Sequence, residues 1–136
     1  SGSLGAKLKT VEDLMLTKNK IPFINENSNM DKALKIITSK KLGTLIATNS
    51  KGYTTGIITD GQIRRANLKN YNLHTLKVKK IMTKNPITID KESLAIKALS
   101  LMNNKKITSL CAVNLKNKKK TIGIIHIHNI LDNITI

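Results

Sequence analysis

The sequence contains an internal repeat, which restricts the chain to folds built from two copies of one unit. Residues 11–15 (VEDLM) recur as residues 78–82 (VKKIM). Four further landmarks recur in the same order: Pro22 as Pro86, Ala33-Leu34 as Ala98-Leu99, residues 41–45 as 106–110, and residues 56–58 as 123–125. The spacing between the copies stays between 64 and 67 residues throughout. Five ordered landmarks at nearly one spacing indicate two copies of one supersecondary unit.

Each copy predicts the element order β-α-β-β-α. Apolar residues recur at helical spacing at Met30, Ala33, Leu34 and Ile37 and at Ala95, Ala98, Leu99 and Met102. Extended segments are expected after the two prolines and at 44–48, 54–58, 109–113 and 121–125. A turn is expected at 49–52, and the lysine-rich stretch 116–120 is expected to lie between the last two strands. Ser28 and Asp90 are predicted to cap the first helices, and second helices are predicted to start near Asp60 and near His126 or His128. The fold class is therefore α+β, with two copies covering one another as a pseudo-two-fold pair.

The net charge of +16 raises the question of a polyanionic partner. All 24 basic residues except Arg64 and Arg65 are lysine, whereas phosphate and base recognition favours the forked guanidinium. The aromatic residues are only Phe23, Tyr53 and Tyr71, too few for base stacking. Lysine, asparagine and isoleucine dominate the composition, as in A/T-rich coding sequences. We therefore interpret most lysines as solvated surface residues and do not expect nucleic acid binding.

The remaining composition indicates a cytoplasmic protein. No apolar run reaches the roughly 20 residues of a membrane span, and the first residues lack the pattern of a signal peptide. The single cysteine, Cys111, lies in an apolar strand and is expected to be a core residue, which fits a reducing compartment. His74 is interpreted as a lone surface residue of a connector.

Two segments carry a resemblance to a known family. Residues 82–89 (MTKNPITI) enter the second copy and residues 56–60 (GIITD) close the first, and in a tandem β-α-β-β-α chain they resemble a pair of CBS domains, the Bateman module. An ordered set covering nearly the whole chain resembles the C-terminal part of arabinose-5-phosphate isomerases: residues 1–5, 11–15, 21–22, 56–65, 106–110 and 123–131. The resemblance implies a linker at 1–10 from an absent sugar-isomerase domain, repeats at 11–70 and 78–136, and a connector at 71–77.

This resemblance also implies a function. The parent enzymes interconvert D-ribulose 5-phosphate and D-arabinose 5-phosphate for synthesis of the lipopolysaccharide sugar Kdo, and their catalytic groups lie in the absent domain. We therefore assign no catalytic residue, cofactor or metal to this chain and expect it to have no isomerase activity. It is expected to be a regulatory ligand-sensing and oligomerisation module that forms homodimers through its CBS helices.

In CBS pairs, a nucleotide often sits in a cleft between the copies. Its ribose and phosphate are bound by a Gly-h-h-Thr-x-x-Asp segment, in which h is apolar. This chain has Gln62 and Asn129 where the acids are expected, and an amide cannot accept both ribose hydroxyls as a carboxylate does. These changes remove negative charge beside Arg64 and Arg65, which favours an anionic sugar nucleotide such as CMP-Kdo over an adenine nucleotide. The predicted ligand-binding residues are Gly56, Thr59, Asp60, Gln62, Arg64, Arg65, Asn85, Pro86, Ile87, Thr108, Gly123, His126, His128 and Asn129.

Two other functions stay open at this point. The clefts could be vestigial, leaving a purely structural dimerisation module, or the chain could be a stand-alone basic CBS protein that binds a polyanion. The His126-x-His128 spacing suits a metal only weakly, because two ligands without a nearby cysteine or carboxylate cluster make a poor site.

Overall fold

The computed structural model describes residues 8–69 and 72–134. In chain order the elements are α1 (Val11–Leu14), β1 (Phe23–Asn25), α2 (Met30–Lys40), β2 (Thr44–Thr48), β3 (Thr54–Thr59), α3 (Asp60–Leu68), α4 (Val78–Ile81), β4 (Thr83–Lys84), β5 (Thr88–Asp90), α5 (Ala95–Lys105), β6 (Ser109–Asn114), β7 (Asn117–His126) and α6 (Ile127–Ile134). Single 3-10 turns lie at Lys18–Lys20 and Leu73–Thr75. The predicted β-α-β-β-α order is confirmed in both copies, and the short helices α1 and α4 precede it. None of the helices in the described ranges is long and apolar enough to cross a membrane.

The chain divides into two compact units that do not coincide with the sequence repeats. The central unit is Pro22–Pro86, and the terminal unit joins the described residues up to Ile21 to those from Ile87 onward. Each unit therefore contains the strands and long helices of one copy, together with the short helix that precedes the other copy in sequence. These short helices, α1 and α4, carry the repeated motif of residues 11–15 and 78–82, written VxxxM below. Helix α4 completes the central unit, and α1 completes the terminal unit.

The central unit is built on a four-stranded sheet of order β1-β2-β3-β4. Strands β1 and β2 are parallel, whereas β2–β3 and β3–β4 are antiparallel. Helix α2 buries Met30, Ala33 and Ile37, the residues whose spacing predicted it. The buried core of this unit consists of Ile24, Met30, Ala33, Ile37, Leu45, Ala47, Ile58, Ile63, Ala66, Leu73 and Val78.

The terminal unit repeats this plan on a three-stranded sheet of order β5-β6-β7. Strands β5 and β6 are parallel and β6–β7 is antiparallel. Leu16 adds an antiparallel bridge on β7, exchanging N–H···O hydrogen bonds of 2.8 and 2.9 Å with Ile124. The buried core consists of Val11, Ile89, Ala95, Ala98, Met102, Leu110, Ala112, Ile125 and Ile130.

The predicted caps of α2 and α5 are wrong. The capping positions are Asn29 and Leu94, not Ser28 and Asp90, and neither side chain caps its helix. Instead the first helical amides donate to backbone carbonyls of distant segments, Met30 to Leu76 at 2.9 Å and Ala95 to Lys9 at 2.8 Å. Because those carbonyls come from the segments that lead into α4 and α1, local sequence could not identify them.

The last strand begins earlier than the predicted residue 121. Strand β6 ends at Asn114 and β7 already begins at Asn117, so most of the lysine-rich segment lies on a strand. The Asn114 side chain accepts a hydrogen bond from the Lys116 amide at 3.0 Å and closes the turn locally. The strand positions themselves are exposed, so lysine is tolerated there.

Cys111 is fully buried in β6, which confirms it as a core residue. Burial raises the pKa of its thiol to about 11, and a hydrogen bond involving Thr121 opposes that shift. At neutral pH the group is therefore a protonated thiol and a poor nucleophile.

A glycine and a methionine pack closely against each other in each unit. A Cβ on Gly56 of β3 would lie 2.5 Å from Met82 Sδ and 2.9 Å from the Thr83 carbonyl oxygen. A Cβ on Gly123 of β7 would likewise collide with Met15 and lie 3.1 Å from the Leu16 carbonyl oxygen. Each strand thus needs a position without a side chain because the segment after the short helix crosses over it.

We predict that Gly56→Ala lowers the free energy of unfolding by about 1–3 kcal/mol, because the added methyl group meets a backbone carbonyl that cannot rotate away. The control is Gly61→Ala, whose nearest contact outside the backbone of its own helix would be the flexible end of Arg65 at 3.3 Å. This change sits in a helix, where alanine is favoured over glycine. Urea unfolding of both variants measures the effect, and equal stability of the two would contradict the proposed contact.

Lysine occupies the left-handed position that ends the first long helix in both units. Lys41 has φ 59° after α2 and Lys106 has φ 58° after α5. We expect Lys106→Gly to raise the free energy of unfolding by up to about 1 kcal/mol, since glycine adopts this conformation without a Cβ clash. Lys97→Gly, the same change at an exposed site inside α5, should lower it by about 1 kcal/mol. Thermal unfolding of the two variants gives opposite shifts if the backbone explanation holds.

Candidate functional site

The predicted ligand-binding residues of the central unit lie where β3 ends and α3 begins. Thr59 is the N-cap of α3 and forms a capping box with Gln62. The Gln62 amide donates to Thr59 Oγ1 at 3.4 Å, and the Thr59 amide donates to Gln62 Oε1 at 2.9 Å. These bonds satisfy two amides that a helix start would otherwise leave without partners.

The Gln62 side chain also contacts the segment that follows α4. Its Nε2 donates to Thr83 Oγ1 at 2.5 Å and to the Ile81 carbonyl at 3.4 Å. Both ends of this amide therefore have partners inside the central unit. In this structure Gln62 joins α3 to the α4–β4 segment, at the position where a ribose-binding acid was expected.

The terminal unit has a related arrangement where β7 ends and α6 begins. The His126 amide donates to Asn129 Oδ1 at 2.8 Å, so Asn129 takes the place that Gln62 has in the other unit. The His128 amide donates to His126 Nδ1 at 3.1 Å, and the two imidazole rings stack with centroids 5.0 Å apart. His126 thus replaces threonine as the side-chain acceptor of the helix start, with its proton on Nε2.

Two effects lower the pKa of His126. Burial of the ring disfavours the imidazolium, and the neighbouring His128 adds like-charge repulsion. The hydrogen bond that Nδ1 accepts acts in the same direction, because a protonated Nδ1 could not accept it. The neutral imidazole is the form that fits this junction.

The other predicted residues divide between the two units. Asp60 begins α3, and its amide donates to the Gly43 carbonyl at 3.0 Å. Asn85 has φ 54° in the turn after β4, followed by Pro86. Ile87 is partly exposed, and the Thr108 carbonyl accepts from the Ile127 amide at 2.8 Å at the start of α6. Gly56 and Gly123 lie under Met82 and Met15, as described above.

Arg64 and Arg65 are exposed, and both guanidinium groups reach back to the first turn of α3. A Cβ on Gly61 would lie 3.3 Å from Arg65 Nη1 and 3.9 Å from Arg64 Nη2. Helix side chains point toward the N-terminus, which accounts for this direction. The start of α3 therefore carries two guanidinium groups next to the positive end of the helix dipole, a setting that favours an anion.

Sequence reasoning missed several residues of this region. Thr83, the partner of Gln62, gave no signal because it is 21 residues away in sequence. Lys69 and Lys80 line a cavity of about 230 Å³ with Arg65, and they were grouped with the surface lysines. A comparison of the repeats could have singled out Lys80, because the equivalent residue of the first motif is Asp13.

His74 is not a lone residue. Its Nδ1 contacts the carboxylate of Asp31 on α2, although both side chains are exposed. Within residues 8–69 and 72–134, no three His, Cys, Asp or Glu side chains come together to hold a metal ion. His126 and His128 hydrogen-bond and stack at the end of β7 rather than lying side by side on a strand.

We predict that His126 makes folding pH-dependent. Its pKa is lower in the folded chain than in the unfolded chain, so its contribution is present above the unfolded pKa and is lost as pH falls through the folded pKa. His126→Asn, which keeps a capping acceptor without a titrating group, should therefore lose less stability than the wild type between about pH 7.5 and about pH 5.

Urea unfolding across this pH range measures the difference. His74→Asn controls for the loss of any histidine and leaves the contribution of His126 in place. If His126→Asn keeps the full pH dependence of the wild type, the assignment to His126 is wrong.

Comparison with known proteins identifies relatives of similar sequence. The uncharacterised protein RP505 of Rickettsia prowazekii (strain Madrid E) is 37% identical over 130 residues, covering 96% of this chain and 39% of the relative. Arabinose 5-phosphate isomerase KdsD of Francisella tularensis subsp. tularensis is 38% identical over 134 residues, with the same coverage. The chain thus spans 39% of the length of these relatives.

Solved structures share the fold. CBSX2 of Arabidopsis thaliana, solved in complex with AMP, superposes with a TM-score of 0.78 at 22% identity, covering 90% of this chain and 93% of that one. The CBS domain pair of protein MJ0100, solved with 5′-methylthioadenosine and S-adenosyl-L-methionine, gives 0.79 at 24% identity, covering 92% and 94%. The family model of the CBS domain matches residues 11–69 and 78–136. With both repeats matched and their fold found in solved CBS pairs, this chain belongs to the CBS domain family and consists of two tandem CBS domains.

Proposed function

We propose that the chain is a regulatory ligand-sensing module of an arabinose 5-phosphate isomerase. Relatives of that name are 32–38% identical over nearly the whole chain, but the chain spans only 39% of their length. On this proposal, the isomerase reaction belongs to a further domain, joined through the segment at 1–10. Purified alone, this chain should not interconvert ribulose 5-phosphate and arabinose 5-phosphate.

The ligand-sensing proposal rests on the position of two arginine side chains at the start of α3. Two guanidinium groups lie over its first turn beside amides at the positive end of the helix dipole. Proteins of this fold have been solved with AMP, 5′-methylthioadenosine and S-adenosyl-L-methionine, which supports binding of a nucleotide-type ligand.

The same region favours a strongly anionic ligand over a simple adenosine derivative. Gln62 stands where an acid would accept both ribose hydroxyls, and its amide is already engaged by Thr59 and Thr83. Arg64 and Arg65 instead suit phosphate or carboxylate oxygens, which a guanidinium binds in pairs. A sugar nucleotide that carries its own carboxylate, such as CMP-Kdo, matches both features and would give feedback control by a pathway product.

A second candidate is a purely structural dimerisation module. The hydrogen bonds that engage Gln62 and Asn129 favour it, because they give these side chains a structural role within the chain. In that case the chain would associate as a homodimer without binding nucleotides.

A thermal-shift panel with AMP, ATP, S-adenosyl-L-methionine and CMP-Kdo separates the two candidates. We expect CMP-Kdo to stabilise the chain most, by about 2.7 kcal/mol at about 100-fold excess over its dissociation constant. The double variant Arg64→Gln/Arg65→Gln should lose this gain, whereas Lys51→Gln, an exposed change in the β2–β3 turn, should retain it. No stabilisation by any member of the panel, with an intact dimer, would reject ligand sensing and favour the structural module.

A further inference from the structure

A cavity of about 230 Å³ lies on the side of the central unit formed by α3 and α4. It is lined by Gln62, Arg65, Ala66 and Lys69 from the α3 side and by Lys80 and Ile81 from α4. Among the residues that the structure describes, this lining contains three cationic side chains and no carboxylate. The volume is below the roughly 300 Å³ at which pockets for drug-sized ligands begin, so the cavity suits one small charged group.

None of the three cationic side chains of this cavity forms a salt bridge with another described residue. The salt bridges found among the described residues join His74 to Asp31 and Lys91 to Glu12, and neither involves the cavity. The remaining polar side chain, Gln62, is already bonded to Thr59 and Thr83. Three like charges around one cavity repel each other, and an oxyanion placed among them would convert this repulsion into attraction.

The fold itself does not require these cations. At the equivalent positions of the terminal unit, 67 residues away in the repeat, Arg65 is replaced by Asp132 and Lys80 by Asp13. Asp13 there accepts a hydrogen bond from the amide of Thr10, the N-cap of α1, at 2.8 Å and so completes the capping box of that helix. The same places in the same architecture thus carry opposite charge, so the cationic pair is a feature of one unit and not a requirement of the fold.

The distribution of arginine points to the same cavity. Lysine is the general basic residue of this chain, yet the two arginines are adjacent, and one of them lines the cavity. A guanidinium presents paired N–H donors that match two oxygens of one phosphoryl group, whereas an ammonium acts as a point charge. Composition alone does not explain arginine at this one location.

We propose that this cavity is a binding site for a phosphoryl group, held by Arg65 with Lys69 and Lys80. The site takes inorganic phosphate, a phosphate monoester or the terminal phosphoryl group of a nucleotide. It deepens the proposed ligand-sensing function and rests on it for its regulatory role, since Arg65 belongs to both. Lys69 and Lys80 belong only to the cavity, and they allow the two proposals to be tested apart.

The test is a titration of the 15N-labelled chain with inorganic phosphate, ribose 5-phosphate and ADP at constant ionic strength. We expect saturable shifts of the backbone amides at Arg65, Lys69 and Lys80. Lys80→Asp, which introduces the residue type of the other unit, should weaken phosphate binding at least about tenfold. Lys51→Asp makes the same charge change in an exposed turn and should leave the affinity unchanged. Thermal unfolding of each variant verifies that it is folded.

Shifts that do not saturate, or equal weakening by Lys80→Asp and Lys51→Asp, would show general attraction to a basic surface and overturn the proposal. Comparison of the three ligands identifies the source, since tighter binding of the monoester or of ADP than of phosphate means that the phosphoryl group belongs to a larger molecule. Phosphate binding without any response in the nucleotide panel would support the cavity and reject nucleotide sensing. Nucleotide stabilisation that Lys80→Asp leaves intact, together with no phosphate binding, would reject the cavity alone.

Discussion

The close packing of a methionine on a glycine is the contact on which each CBS unit depends. Met82 crosses Gly56 and Met15 crosses Gly123, and in both units the next backbone segment follows at the edge of the long strand. Because a side chain on either glycine would push this segment away, the packing holds the short helix α4 or α1 against its sheet. Those helices in turn supply Val78 and Val11 to the two buried cores.

The start of the last helix in each unit is stabilised by side chains that the family pattern associates with ligands. Gln62 Oε1 accepts a hydrogen bond from the Thr59 amide, and Asn129 Oδ1 accepts one from the His126 amide. Gln62 also reaches Thr83, so the capping residue links α3 to the segment that carries Met82. An amide can serve in this way because it offers both an acceptor and two donors, whereas a carboxylate offers only acceptors. The departure from the family pattern therefore has a structural explanation within the chain itself.

Charge distinguishes the two units more than shape does. The repeated VxxxM motif carries Glu12 and Asp13 in one copy and Lys79 and Lys80 in the other. Arg65 and Asp132 differ in the same sense. Equivalent positions of the two copies thus carry different charges. The small group of basic residues around α3 and α4 therefore says more about function than the net charge of +16 does. Apart from the half-buried Lys9 and Lys91, the other lysines that the structure describes, including those of β7, are exposed.

The sequence by itself determined the repeat, the order of elements, the helices α2 and α5 and the family. The repeat and the helices are recorded in spacing, because burial of one face repeats with the period of each element, whereas the family was indicated by the resemblance of ordered motifs such as residues 82–89 and 56–60. The tertiary structure decided that each VxxxM helix packs with the other copy, that Leu76 and Lys9 carbonyls replace side-chain caps, and that Gln62 meets Thr83. It also brought Arg65, Lys69 and Lys80 around one cavity. Such partners lie far apart in the chain, and periodicity reports only that a residue is buried, not which distant residue it meets.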